Sequence, residues 1–95
     1  MNVQEFRDTL AHENPPEGAG SALAGLWWDA KGDWTRAHES AQEDKGSRGA
    51  WVHAYLHRKE GDVSNAEYWY LRAGKQAPAT SFETEWNDIL RALLE

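Results

Sequence analysis

Along most of this chain, apolar positions recur at the three-to-four residue interval of an amphipathic helix. Val3, Phe6 and Leu10 share one face and predict a helix over about residues 2–12. Asn14-Pro15-Pro16-Glu17-Gly18 then breaks the pattern, because adjacent prolines remove backbone donors and restrict the residues before them. Leu23, Leu26, Trp27 and Ala30 restore it at i, i+3, i+4 and i+7, up to a stop at Gly32. Trp34, Ala37 and Ala41 mark a helix over about 33–43. Ser47 is the N-cap expected for the next, which runs to about Glu60. Its apolar residues Trp51, Val52, Ala54, Tyr55 and Leu56 span a wide arc, as in a central helix packed on more than one neighbour. Val63, Ala66, Trp69, Tyr70 and Ala73 carry a fifth helix, closed by Gly74 and Pro78. Thr80 with Glu83 fits a capping box ahead of Phe82, Trp86, Ile89, Leu90 and Leu93, the clearest amphipathic stretch in the chain. No segment alternates with period two, so the expected fold class is all-α with no sheet.

Two stretches repeat with a shift of 29 positions, from Gly32 to Gly61. Ala30-Lys31-Gly32-Asp33-Trp34-Thr35-Arg36-Ala37 aligns with Lys59-Glu60-Gly61-Asp62-Val63-Ser64-Asn65-Ala66. The shared residues have a physical reason. Glycine accepts the left-handed backbone that stops a helix. Aspartate, one residue on, caps the following helix and suits its positive end. Alanine lets two helices approach. The pattern describes a tight αα-hairpin written twice.

At these residues the chain resembles the tetratricopeptide repeat family, in which a Gly-Asp-aromatic turn joins helix A to helix B. In that family small residues follow the glycine at five and twelve positions, and a proline at seventeen. Gly61, Ala66, Ala73 and Pro78 match these offsets, with Tyr70 at the aromatic position between the alanines. The first unit departs from the pattern, with Asp44 at the second small position and Gly49 at the proline position. The resemblance implies one domain over residues 1–95, with antiparallel helical hairpins at about 20–46 and 47–78. Helices at about 2–12 and 80–94 would cap the ends of this short array. It also implies a non-enzymatic protein- or peptide-interaction module whose A helices line a groove. Carried over by position, the contact residues are Trp51, Tyr55, Arg58 and Lys59, with Leu26 and Asp29 from the first hairpin.

Trp28 joins this set on helical phase. It lies about 100° from Trp27 and so points sideways when Trp27 faces the core. Tryptophan, tyrosine and arginine are the residue types richest in interface hot spots. The competing reading makes Trp51 and Tyr55 core, with Arg58 laid over them.

Composition narrows the function classes. The chain has 95 residues, a formal net charge of −6, six tryptophans and no cysteine. The acidic balance argues against nucleic-acid binding, which needs a basic stripe. Lack of cysteine removes disulfides and thiolate zinc sites. No apolar run nears the ~20 residues of a membrane span, and Met1–Leu10 lacks the pattern of a secretory signal, so a cytoplasmic protein is expected. Nucleophile elbows and phosphate-binding glycine loops are missing. No catalytic residue, cofactor or metal is expected, and a homo-oligomer is a further option.

The alternative reading is a small-molecule or metal-binding protein, enzymatic or not, that uses His53 and His57. These stand at i, i+4 on one helix face, a spacing that suits two metal ligands. On the helical wheel they lie opposite the Trp51–Leu56 arc, as a surface pair or an inter-helix hydrogen-bonding pair. His12 and His38 have no such spacing of their own.

Overall fold

The computed structural model describes residues Met1–Glu95 and is all-helical. Six α-helices follow in order: α1 Val3–Asp8, α2 Ser21–Ala30, α3 Trp34–Glu43, α4 Ser47–Glu60, α5 Val63–Ala73 and α6 Phe82–Leu93. A 3₁₀ turn at Thr9–Ala11 extends α1, so the helical stretch expected over 2–12 is there but tightens in its second half. No helix is long and apolar enough to cross a membrane.

The two repeated turns share one set of hydrogen bonds. Gly32 and Gly61 both have positive φ, at 82° and 87°. The Asp33 amide donates to the Trp28 carbonyl at 3.0 Å, and the Asp62 amide to the His57 carbonyl at 2.9 Å, the six-to-one bond of a Schellman stop. Each aspartate then caps the next helix. Asp33 accepts from the Arg36 amide at 3.0 Å, and Asp62 from the Asn65 amide at 3.3 Å. Asp33→Ala and Asp62→Ala should each lower stability by about 1 kcal/mol through the lost cap. Gly61→Ala should lower it by about 1–2 kcal/mol, because a Cβ opposes the left-handed backbone. Urea unfolding midpoints check all three, and unchanged midpoints would contradict the turn assignment.

Three other caps differ from the sequence reading. The helix α4 N-cap is Gly46, and Ser47 is already helical and caps nothing. For α6 the cap is Ser81, whose hydroxyl accepts from the Thr84 amide at 3.1 Å, in place of the expected Thr80–Glu83 box. A full capping box, unanticipated from the sequence, opens α1: Asn2 accepts from the Glu5 amide and Glu5 accepts from the Asn2 amide.

Helix α4 is the centre of the molecule. It packs against α5, α3, α2 and α6. Helices α2 and α3 pair closely, helped by Gly25, where a Cβ would meet Val52 and the Ala37 carbonyl at 3.1 and 3.2 Å. Gly49 is tighter still, since a Cβ there would come within 2.1 Å of the Asp44 carbonyl oxygen. That explains glycine where the repeat pattern would place proline: the end of α3 passes directly over the first turn of α4.

The main core joins Phe6, Leu23, Leu26, Trp27, Val52, Tyr55, Leu56, Trp86, Ile89, Leu90 and Leu93. Helix α6 supplies four of these and packs on α4 and α2. It therefore lies across the inner faces of two helices, and the outer side of α5 stays open. Ala54, Ala66 and Tyr70 form a smaller cluster between α4 and α5.

Candidate functional site

Helix α6 decides where the expected contact residues lie. Leu26 is fully buried, and Tyr55 is 2% exposed. The Tyr55 hydroxyl donates to Asp29 Oδ2 at 2.7 Å, and Lys59 Nζ lies 3.0 Å from Asp29 Oδ1. Asp29 is itself buried, and its carboxylate is met by one buried donor, Tyr55, and one exposed donor, Lys59. Burial, followed by the bond to Asp29, raises the Tyr55 hydroxyl above the usual phenol range and keeps it protonated.

Trp28 is half-buried, edge-on to Trp27 with ring centroids 4.9 Å apart, and carries the Arg36 guanidinium over its face at 4.7 Å. Of this face there remains a cleft of about 310 Å³ lined by Arg7, Leu10, Asp29, Lys59, Glu83 and Trp86, among others.

Trp51 and Arg58 converge on Glu85 of α6, a carboxylate only 2% exposed. Arg58 NH1 donates to Glu85 Oε1 at 3.0 Å, and Trp51 Nε1 to Oε2 at 3.3 Å. The Tyr70 hydroxyl lies 2.8 and 2.7 Å from the two oxygens. Arg58 also donates to the Thr80 carbonyl and covers the Phe82 ring at 4.8 Å. Trp51 and Arg58, expected to contact a partner, thus hold a carboxylate of the same chain.

A second cluster forms on the opposite side of α4. His53 and His57 are buried, not on the surface, and His38 of α3 meets them. The wheel placed both imidazoles away from the core arc, but α3 and α5 pack on that side too, so it faces an interface. Nε2 of His53 lies 2.8 Å from Nε2 of His38. One ring nitrogen from each of the three lies within 4.8 Å of the others. Trp34 stacks on His38 with centroids 4.9 Å apart, and Trp69 stacks on His53 at 3.9 Å. His57 Nδ1 lies 2.8 Å from Glu60 Oε1, and Asn65 Nδ2 lies 3.4 Å from His57 Nε2. His38 was the member the sequence did not signal. Its mark is Trp34-x-x-x-His38 on α3, matching His53-x-x-x-His57 on the adjacent helix.

Burial is the main cause that lowers the His53 pKa from 6.5 to about 4, followed by repulsion from His38, His57 and Lys45. Burial and His57 also lower that of His38. For His53 the folded value lies below the unfolded one. Between the two the unfolded chain therefore binds more protons, and acid favours unfolding. The cost is absent well above pH 6.5, reaches about 2 kcal/mol at pH 5 and is complete, at roughly 3 kcal/mol, below pH 4. Urea midpoints of the chelator-treated protein should fall between pH 7 and pH 5, and fall less in His53→Gln. An equal fall in both would contradict the assignment.

Comparison with protein-family models, with curated proteins and with solved structures finds no match to this chain.

Proposed function

We propose that the protein is a non-enzymatic interaction module, two tetratricopeptide-like hairpins closed by α6, and that it meets its partner through the outer face of α5. The paired Gly-Asp turns and the small residues after them support the hairpin reading. One observation carries the choice of surface. Helix α5 packs chiefly on α4, and turns outward Leu71, Val63 and Tyr68 at 80, 64 and 52% exposure. In a stacked array this is the side on which the next hairpin would sit. This face sets Glu67 between Val63 and Leu71, with Arg72 beside Tyr68 at one edge, and suits a helical segment of a partner protein that presents apolar residues and a cation to meet Glu67. Tyr68 is already steadied by Arg72, which donates to its hydroxyl at 3.1 Å, so little side-chain freedom is lost on contact.

The test compares the wild type with Leu71→Asp and Tyr68→Ala in affinity capture from the native host, read by mass spectrometry, with sedimentation to detect self-association. Both changes are at largely exposed positions and should each lower stability by about 1 kcal/mol, far short of unfolding the protein. A protein held by the wild type and lost from both variants supports the reading. A partner retained by both variants would overturn it.

A further inference from the structure

We propose that His38, His53 and His57 form a binding site for one divalent late-transition-metal ion such as Zn²⁺, Ni²⁺ or Cu²⁺. The three rings come from two adjacent helices, and one nitrogen of each lies within a 4.8 Å compass. Metal–imidazole bonds of about 2.0–2.1 Å place ligand nitrogens roughly 3.3 Å apart in a tetrahedral set. The His38–His53 contact, at 2.8 Å, needs to open by only about half an ångström to reach that separation. That contact joins Nε2 to Nε2. One Nε2 donates the bridging proton and the other accepts it, so metal binding requires the donor ring to carry its proton on Nδ1 instead, which frees both Nε2 lone pairs.

His57 is held in the tautomer a metal needs. Its Nδ1–H donates to Glu60, which leaves the lone pair on Nε2, and a metal would take that lone pair in place of the long 3.4 Å bond from Asn65. A carboxylate behind a ligating imidazole is the arrangement that orients the ring and raises its basicity. Glu60 also supplies negative charge close to an incoming cation. Trp34 and Trp69 fix the planes of His38 and His53 by stacking.

The depressed pKa values of His38 and His53 agree with this geometry, since neutral imidazole is the ligating form. Three nitrogen donors, with no thiolate among them, select the borderline metals over calcium or magnesium. A cleft of about 190 Å³, lined by Gln42, Asp44, Lys45 and Arg72, among others, opens beside His53. An inter-helix hydrogen-bonding cluster is the competing account, and it predicts no saturable metal binding.

The experiment is calorimetric titration of the chelator-stripped protein with Zn²⁺ and Cu²⁺, with tryptophan fluorescence recorded alongside for Cu²⁺. The expected result is saturation at one ion per chain. Cu²⁺ should also quench fluorescence, because Trp34 and Trp69 lie against the ligands. His38→Ala should weaken Zn²⁺ binding at least 100-fold, and Glu60→Gln about 10- to 100-fold. His12→Ala, which alters a histidine outside the cluster, should leave binding unchanged.

Should a variant fail to fold, imidazole ¹⁵N spectra of the wild type decide the matter. Zn²⁺ must shift the nitrogens of His38, His53 and His57 and leave those of His12 in place. No saturation below about 100 μM Zn²⁺, or binding as tight in His38→Ala as in the wild type, would overturn the proposal.

Discussion

Glu85→Ala should destabilise the protein by about 3–5 kcal/mol, the range seen when one partner of a buried ion pair is removed. Its carboxylate is the polar point at which α6, already held by Trp86, Ile89, Leu90 and Leu93 in the core, is fastened to α4 and α5. Arg58, Tyr70 and Trp51 all donate to it, and its side chain is almost wholly enclosed. Truncation leaves the Tyr70 hydroxyl buried with no acceptor and the Arg58 guanidinium without its counter-charge. Glu85→Gln should cost less, because the amide oxygen still accepts one of these bonds. Urea unfolding of the two variants beside the wild type measures both effects. A loss under 1 kcal/mol for Glu85→Ala would show that the carboxylate sits in water.

Tyr55→Ala should cost a similar amount, about 3–5 kcal/mol, by opening a cavity in the main core where a large aromatic stood. Tyr55→Phe separates the two contributions of the side chain. It keeps the packing and removes one hydrogen bond to the charged Asp29, a loss of about 1.5–3 kcal/mol. Lys59 would remain the sole partner of the Asp29 carboxylate. These values also discriminate between the two sequence readings of this residue. A tyrosine on an open binding surface would change the melting temperature little when truncated.

The contrast between what the sequence disclosed and what it withheld follows from the range of the interactions. Each helix was legible because its signal is local: apolar residues three and four apart, and Gly-Asp turns that fix both the stop and the next cap. The caps at Gly46 and Ser81 were missed by one residue each. Thr80 and Ser81 offer the same hydroxyl, and their neighbours do not decide which of them caps the helix, while Gly46 caps α4 with no side chain at all and so leaves no signal of that kind. Helix α4 was readable as central from its broad apolar arc. The arc did not disclose that four other helices surround it, which turns the polar side bearing His53 and His57 into an interface.

The histidine cluster was half legible. The pair at i, i+4 is written on one helix, whereas His38 joins it only through the phase at which α3 packs on α4. The partner of Arg58 was invisible for the same reason, since Glu85 lies 27 residues further along the chain.

Helix α6 closes the face formed by α2 and α4 and completes the main core. Amide hydrogen exchange of the native protein tests this most directly. If α6 is an integral part of the core, the amides of Ile89, Leu90 and Leu93 exchange only with global unfolding, as slowly as those of Ala54 and Leu56 in α4. If α6 is instead a detachable helix seated in an open groove, its amides exchange orders of magnitude faster than those of α4, and the claim fails.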